Sequence, residues 1–358
     1  MKRELLTGNE AAIKGAIASG AKFMTGYPIT PTTEMMEHWA EAAVIDKSLK
    51  FLQTEDEMSA GFAMIGAILA GVKSFSATAG PGNILMQDAF SMAENMRLPT
   101  VAFINQRGGP STGTVIYSQQ EVNLTCFGGN GEGLRIVYSA SSGQEMYDLA
   151  IKAFNTAWKY RFPTFILADG YQAKTLTEIE TYMPQEKQIE IVEAEPYLLG
   201  DKGEKRALRN TYNLEEDLHF LIEKHESAFE EASDNIVEYE EVQLNDAELV
   251  IFAHGIIGAS AKEAVKILRG TGAKIGLFRP ITLNPFPRKA ALDSLTGKKY
   301  ILLAESSLGQ FERIVKYNLY GTKIAIEKIT KPAMGITAEE IVQKVEEITR
   351  SFSGTSFS

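Results

Sequence analysis

The sequence predicts an α/β fold, in which a parallel sheet with helices on both faces is followed by a second, smaller α/β domain. Apolar strand patterns alternate with helical patterns through residues 1–174, and the alternation resumes at residue 247. Such alternation favours parallel strands joined by crossover helices. With 358 residues, of which 44% are hydrophobic, the chain is long enough to form two globular domains.

Composition excludes several classes of function. The formal net charge is −10 and the basic residues form no stripe, so we expect no binding to nucleic acids. Apolar runs stay shorter than the about eighteen residues that span a bilayer, and the first residues lack a signal-peptide pattern, so we expect a cytoplasmic protein without a membrane segment. Cys126 is the single cysteine and the four histidines lack ligand spacing. We therefore expect no metal site in this chain and place any cluster in a partner.

Helices and strands alternate along the predicted first domain. The expected helices cover residues 9–18, 34–43, 58–70, 85–95 and 142–160, and the expected strands cover residues 22–26, 72–77, 100–105, 134–139 and 162–168. Charge then rises, and residues 175–246 are predicted to form a connector with a helical insertion at residues 214–233. Residues 247–350 are predicted to form the second domain, and residues 351–358 a disordered tail.

Three carboxylates stand at the start of an unusually apolar predicted helix. Glu55, Asp56 and Glu57 precede the small and apolar residues 58–70, and a glycine loop at residues 78–82 follows the next strand. Glycine permits backbone conformations and close approaches that side chains forbid. Carboxylates at a helix start also act as ordinary caps, because they accept from free N–H groups. The residues alone therefore leave two interpretations open: helix caps, or one wall of a cofactor pocket.

Two further segments leave predicted strands at their carboxyl ends. Residues 26–34, GYPITPTTE, lead into a helix through a turn stiffened by two prolines, which suits either an anion receptor or a plain connection. Residues 106–113, QRGGPSTG, place Arg107 among small residues. The planar guanidinium of arginine can bind a carboxylate through two hydrogen bonds, but a solvated loop arginine would give the same sequence pattern. Both interpretations stay open.

The segments GYPITPTTE, QTEDEMSAGFAMIGA, ATAGPGN and QRGGPSTG, followed by FRPITLNPFP and AESSLGQ, together resemble the alpha subunit of split 2-oxoacid:ferredoxin oxidoreductases. The resemblance covers residues 4 to about 350 and is strongest to the 2-oxoglutarate and branched-chain 2-oxoacid types. It implies a thiamine-diphosphate-binding pyrimidine domain at residues 1–174 and a transketolase C-terminal-like domain at residues 247–350.

The resemblance also implies a reaction. Members of this family oxidatively decarboxylate a 2-oxoacid with coenzyme A, and yield an acyl-CoA, CO2 and reduced ferredoxin. We favour 2-oxoglutarate as the substrate, with 3-methyl-2-oxobutanoate as the alternative. Two other interpretations are a non-catalytic assembly subunit of such a complex and a thiamine enzyme without a redox partner.

Site residues follow from the same resemblance. Glu57 is implied as the glutamate that bonds N1′ of the cofactor pyrimidine, with Glu55 as the runner-up. A glutamate in an apolar pocket has a raised pKa and can share a proton with that nitrogen. Thr30 and Arg107 are implied to bind the substrate carboxylate. The residues implied to line the cofactor are Tyr27, Pro28, Ile29, Glu57, Thr78, Gly80 and Gly82.

Partner subunits are implied because half of the cofactor site is missing. The family's diphosphate-binding domain carries Gly-Asp-Gly and a later asparagine, whereas this chain has only Asp169-Gly170, without an asparagine at that distance. The resemblance therefore implies a beta subunit that brings Mg²⁺ and a [4Fe–4S] cluster, with gamma and ferredoxin-like delta subunits as further partners. A site shared between chains predicts a hetero-oligomer. His254, Arg279 and Glu305 of the second domain are expected to be interface or structural residues.

Overall fold

The computed structural model describes residues 1–195, 208–298 and 300–353. The strands in these ranges are β1 (Lys2–Leu6), β2 (Phe23–Gly26), β3 (Lys50–Gln53), β4 (Ser74–Thr78), β5 (Val101–Gln106), β6 (Ile136–Ser139), β7 (Thr164–Asp169), β8 (Thr177–Thr181), β9 (Tyr239–Val242), β10 (Leu249–Phe252), β11 (Ile275–Pro280), β12 (Thr282–Asn284), β13 (Tyr300–Glu305) and β14 (Ala325–Thr330). The α-helices are α1 (Gly8–Ala18), α2 (Thr33–Ile45), α3 (Glu57–Leu69), α4 (Pro81–Leu85), α5 (Gln87–Asn95), α6 (Val122–Phe127), α7 (Gly143–Tyr160), α8 (Gly170–Lys174), α9 (Glu215–Ile236), α10 (Gly255–Gly270), α11 (Arg288–Ser294), α12 (Gln310–Asn318) and α13 (Ala338–Ser353).

The first sheet has seven strands in the order β12-β6-β7-β5-β4-β2-β3. All neighbours are parallel except β12, which runs antiparallel to β6. Every residue of β4, β5 and β7 is buried, as expected for parallel strands covered on both faces. Helix α1 packs along α7 so closely that a Cβ atom on Gly15 would lie 2.5 Å from the carbonyl oxygen of Tyr147. Glycine is therefore required at that crossing.

The second sheet has five strands in the order β14-β13-β10-β11-β9, and β9 is its one antiparallel strand. Helix α10 packs against α13 and against strand β11. Buried Ile341, Val345 and Ile348 recur at helical spacing along α13 and belong to a second hydrophobic core. The second unit is therefore an α/β layer with its own core.

The two units exchange strands. Strand β9 comes from the predicted connector but extends the second sheet, while β12 comes from the predicted second domain but extends the first sheet. Arg279 of β11 donates two hydrogen bonds to Glu145 of α7, at 2.7 and 3.1 Å, and a third to Glu240 of β9 at 2.9 Å. The two units are joined by the pairing of β12 with β6 and by the partly buried charge cluster around Arg279. The domain boundaries at residues 174 and 247 remain a prediction.

Two differences from the sequence analysis concern local structure. The helix expected at residues 85–95 is divided at Met86 into α4 and α5. The predicted disorder is wrong for residues 351–353, because α13 continues to Ser353, and residues 354–358 lie outside the described ranges. None of the helices in the described ranges is long and apolar enough to cross a membrane.

Candidate functional site

The segments singled out in the sequence meet at one edge of the first sheet. Strands β2, β4 and β5 are parallel, so their carboxyl ends lie together. Residues 26–34, 78–82 and 106–113 leave these ends, and α3 begins beside them. In open α/β sheets, ligands bind in the crevice beyond the carboxyl ends of the strands. We refer to this place as the strand-end site.

The three acidic residues before α3 have different environments. Glu55 and Asp56 are exposed, and the Asp56 carboxylate caps the helix by accepting from the Ser59 N–H at 2.6 Å. Glu57 is only 6% exposed. Burial raises the pKa of the Glu57 carboxyl, the nearby Asp56 charge adds to this rise, and the Arg107 charge opposes it. Among the three, Glu57 has the environment of a proton-sharing carboxyl.

The glycine loop packs directly against Glu57. A Cβ atom on Gly82 would lie 2.6 Å from Glu57 Oε1 and would collide with Thr78 Oγ1, so no side chain fits there. Gly80 has a φ of +52°, which disfavours other residues. The hydroxyl of Thr78 is buried and has no hydrogen-bond partner in the described ranges. The loop thus forms a cradle around a buried carboxyl, with one unsatisfied hydroxyl.

Arg107 lies on the other side of the glycine loop. Its Nη1 donates to the carbonyl oxygen of Thr30 at 2.9 Å, and a Cβ atom on Gly80 would approach its Nε to 2.7 Å. The Arg107 side chain is buried, and its Nε has no hydrogen-bond partner among the described residues. Buried polar groups normally find partners, and the described residues supply none for this nitrogen.

The other predicted residues lie in the turn that follows β2. Tyr27 and Pro28 are exposed, while Ile29 and Thr30 are half-buried. The structure therefore brings Glu57, the glycine loop, Arg107 and the turn around Thr30 together, and it leaves Glu55 at the surface.

The sequence analysis did not single out Glu121, which supports the backbone of this site. Its buried carboxylate accepts from the backbone N–H groups of Gly80 and Arg107 at 2.8 and 3.0 Å. A single glutamate before the short helix α6 has no pattern in the sequence that marks it. Asp169, in contrast, accepts from the N–H groups of Tyr171 and Gln172 and so acts as the cap of α8.

Two family models cover most of the chain. Residues 14–241 match the model described as pyruvate flavodoxin/ferredoxin oxidoreductase, thiamine diphosphate-binding. Residues 247–344 match the model described as pyruvate:ferredoxin oxidoreductase core domain II. Fold and site thus define the class, an α/β oxidoreductase subunit that contains a thiamine-diphosphate-binding domain.

Individual relatives agree with these models. The chain is 36% identical to a 2-oxoglutarate synthase subunit KorA of Methanocaldococcus jannaschii, over 88% of this chain and 93% of that protein. It is 34% identical to a ketoisovalerate oxidoreductase subunit VorB of Methanothermobacter marburgensis, over 88% of this chain and 90% of that protein. The 2-oxoglutarate:ferredoxin oxidoreductase from Magnetococcus marinus, solved with 2-oxoglutarate, coenzyme A and succinyl-CoA bound, superposes with a TM-score of 0.86 at 26% identity. That comparison covers 96% of this chain and 65% of the longer chain.

The chain therefore belongs to the family of 2-oxoacid:ferredoxin oxidoreductase subunits. The resemblance and the fold class predicted from the sequence are confirmed. The strand-end site also carries polar groups that fit the pyrimidine half of thiamine diphosphate, because the Glu57 carboxyl is buried against Gly82 and the Thr78 hydroxyl has no partner in the described ranges.

Proposed function

We propose that this chain is the alpha subunit of a thiamine-diphosphate-dependent 2-oxoacid:ferredoxin oxidoreductase. Such an enzyme decarboxylates a 2-oxoacid oxidatively, transfers the acyl group to coenzyme A and reduces ferredoxin. The observation that supports this role most strongly is the burial of Glu57 against Gly82, with Arg107 on the far side of the same loop. A buried carboxyl and a cation thus pack against the same glycine loop.

Glu57 would hold a proton at the pyrimidine nitrogen of the cofactor. Burial raises the pKa of the Glu57 carboxyl, which favours its protonated form, and the close approach of Gly82 restricts the position of Oε1. Bound thiamine diphosphate supplies the electron sink for decarboxylation. The residues that we propose to line the pyrimidine are Tyr27, Pro28, Ile29, Glu57, Thr78, Gly80 and Gly82.

Arg107 and Thr30 would bind the carboxylate of the 2-oxoacid. The Arg107 guanidinium supplies the charge, and its unpaired Nε supplies a donor. The Thr30 carbonyl holds Arg107 in place, which leaves the Thr30 hydroxyl to donate to the substrate. The absence of a side chain at Gly80 lets the Arg107 side chain pack against the glycine loop.

2-Oxoglutarate is the favoured substrate. The 2-oxoglutarate synthase subunit of M. jannaschii and the M. marinus enzyme support it, and the ketoisovalerate oxidoreductase subunit, at almost the same identity, supports 3-methyl-2-oxobutanoate as the alternative. A non-catalytic assembly role is disfavoured, because an assembly subunit has no need of a buried carboxyl with a raised pKa near an arginine whose buried Nε has no partner in the described ranges.

The partner that completes the site would dock on an apolar surface beside it. Met58 and Phe62 of α3, Ile84 and Leu85 of α4, and Phe127 of α6 are exposed, and α4 contacts both α3 and α6. We call these five side chains the apolar site face. Exposed apolar clusters of this kind mark protein interfaces.

We propose that a beta subunit docks on this face and brings the diphosphate-binding domain, Mg²⁺ and a [4Fe–4S] cluster. Gamma and ferredoxin-like delta subunits would complete the electron path to ferredoxin. The complex would work in the cytoplasm, where coenzyme A and ferredoxin are found.

The test is reduction of a viologen dye by the complex purified anaerobically with its copurifying subunits. We expect reduction that requires coenzyme A and is fastest with 2-oxoglutarate among 2-oxoglutarate, 3-methyl-2-oxobutanoate and pyruvate. Preference for 3-methyl-2-oxobutanoate would select the alternative substrate. A complex that contains iron and thiamine diphosphate but reduces no dye with any of these acids would contradict the proposal, and a complex without iron would indicate a non-redox thiamine enzyme.

A further inference from the structure

One buried carboxylate joins the two loops of the strand-end site. Glu121 Oε1 accepts from the Gly80 N–H at 2.8 Å and from the Arg107 N–H at 3.0 Å. These donors lie 41 and 14 residues away in the chain. The Glu121 backbone N–H in turn donates to Gln106 Oε1 at 3.3 Å. Beyond the ends of the paired strands β4 and β5, a single oxygen atom therefore links the glycine loop to the segment that carries the arginine.

The other oxygen of Glu121 is fixed by a chain of buried side chains. Oε2 accepts from Asn83 Nδ2 at 3.0 Å, and Asn83 Oδ1 accepts from Gln87 Nε2 at 2.9 Å. Gln87 Oε1 accepts from Arg135 Nη1 at 2.8 Å, and Arg135 Nε pairs with Glu94 at 3.0 Å. These hydrogen bonds join buried side chains and restrict their movement, although Arg135 Nη2 at the far end of the chain of contacts has no partner in the described ranges. Glu121 thus acts as a rigid support rather than as a mobile side chain.

The Arg107 side chain packs against Gly80, and Glu121 binds the backbone N–H groups of both residues. Gly80 has a positive φ, and the space where its Cβ atom would lie is filled by the Arg107 side chain. A shift of either loop would move the guanidinium relative to Glu57, which packs against Gly82 two residues further along the same loop. In a 2-oxoacid, covalent bonds set the distance between the carboxylate and the reacting carbon. The site therefore tolerates little displacement of the Arg107 guanidinium relative to Glu57.

We propose that Glu121 is a positioning residue for 2-oxoacid binding, which sets the place of Arg107 by holding the Arg107 and Gly80 N–H groups on one carboxylate oxygen. This inference rests on the proposed function. Glu121 itself does not contact the substrate in this scheme. The negative charge of Glu121, taken alone, weakens the attraction of Arg107 for an anion. Removal of Glu121 should therefore tighten substrate binding if electrostatics dominates, and weaken it if positioning dominates.

The first experiment compares Glu121→Ala with Glu121→Gln in the full complex. Binding of N-oxalylglycine, a 2-oxoglutarate analogue that cannot be decarboxylated, is measured by calorimetry, together with KM and kcat for 2-oxoglutarate. We expect Glu121→Ala to weaken analogue binding and to raise KM by about tenfold or more, with a smaller change in kcat. Glu121→Gln keeps an acceptor for both N–H groups but places its amide nitrogen against the Asn83 Nδ2 donor, so its affinity should fall less than that of Glu121→Ala.

The matched control is Glu305→Ala. Glu305 is also fully buried and accepts from the N–H groups of Phe311 and Glu312, but it lies in the second unit, and none of its carboxylate's hydrogen bonds in the described ranges reaches either loop. Its loss should lower stability and leave KM unchanged. Should Glu121→Ala fail to fold, Glu121→Asp, whose carboxylate is withdrawn by about 1.5 Å, tests the same point. Tighter or unchanged analogue binding in Glu121→Ala or Glu121→Asp would overturn the inference, as would an equal loss in Glu305→Ala.

A second measurement does not depend on the substrate. Hydrogen exchange of peptides that contain Gly80 and Arg107 should become faster by about tenfold in Glu121→Ala, because both N–H groups lose their acceptor. Exchange at the wild-type rate would overturn the inference even if the enzyme used a different substrate. Conversely, faster exchange in a complex that is inactive with every 2-oxoacid would contradict the proposed function and leave the structural role of Glu121 intact.

Discussion

Arg107 Nη1 donates a 2.9 Å hydrogen bond to the backbone carbonyl oxygen of Thr30, a residue 77 positions earlier in the chain. The two residues expected to bind the substrate carboxylate are therefore in contact before any ligand arrives. Because the bond uses the Thr30 carbonyl, replacement of the Thr30 side chain leaves this support for Arg107 in place. The contributions of the two side chains can thus be measured separately.

Arg107→Ala should raise KM for the 2-oxoacid by roughly 10- to 100-fold, since hydrogen bonds to a charged group contribute about 1.5–3 kcal/mol. Thr30→Val should have a smaller effect, about fivefold, because it removes one neutral donor. The control is Arg97→Ala, which removes another partly buried arginine that donates to a carbonyl, that of Tyr160, away from the strand-end site. Steady-state kinetics with 2-oxoglutarate provide the measurement. An unchanged KM in Arg107→Ala would refute the assignment.

Glu57→Gln should lower kcat by about 10²- to 10⁴-fold, the usual contribution of a positioned proton donor. The side chain keeps its size, so the complex should assemble and retain thiamine diphosphate. Glu55→Gln is the matched control, since Glu55 is exposed at the same helix start. Activity lost in Glu55→Gln and kept in Glu57→Gln would transfer the role to Glu55, and activity kept in both would exclude this helix start from catalysis.

Phe62→Asp and Ile84→Asp should each abolish copurification of the iron-containing partner, because a charge would be buried in the apolar site face. Ile45→Asp serves as the control, since Ile45 is 85% exposed at the carboxyl end of α2, away from the helix starts that border the site. Affinity purification followed by iron analysis gives the readout. Partner binding that survives both site-face variants, or that is equally lost in Ile45→Asp, would place the interface elsewhere.

His254 should make the protein sensitive to acid. Burial lowers the pKa of the His254 imidazole from 6.5 to about 3, with a further contribution from the Arg279 charge. The folded state keeps this imidazole neutral, while the unfolded state binds a proton below about pH 6.5, so stability falls as the pH drops from 6.5 towards 3. At pH 5 the loss amounts to roughly 2 kcal/mol.

His254→Asn retains a polar group for the 2.8 Å contact with Ser139 and should reduce the fall in melting temperature between pH 7 and pH 5. His219→Asn is the control, because the His219 side chain is 64% exposed. Melting curves that shift with pH equally in the wild type and in His254→Asn would contradict the prediction.

Regular local patterns were predicted well from the sequence, because they depend on near neighbours. The start of α7 follows from the Ser142 cap, whose hydroxyl accepts from the Glu145 N–H at 3.2 Å, and α3 follows from its apolar run. Strands β1, β8, β9, β12 and β14 were not predicted. Four-residue or shorter strands such as β9 and β12 have little periodicity of their own, and they form because a distant sheet edge offers hydrogen-bond partners.

The sequence by itself determined the α/β class, the alternation that makes the first sheet parallel, and the family, through six short segments in a fixed order. The tertiary structure alone decided which of the adjacent acids, Glu55, Asp56 and Glu57, is buried, and that the distant Glu121 supports both loops of the site. The physical reason is that periodicity and capping act over a few residues. Burial and the pairing of a buried carboxylate depend instead on groups that meet only after the chain has folded.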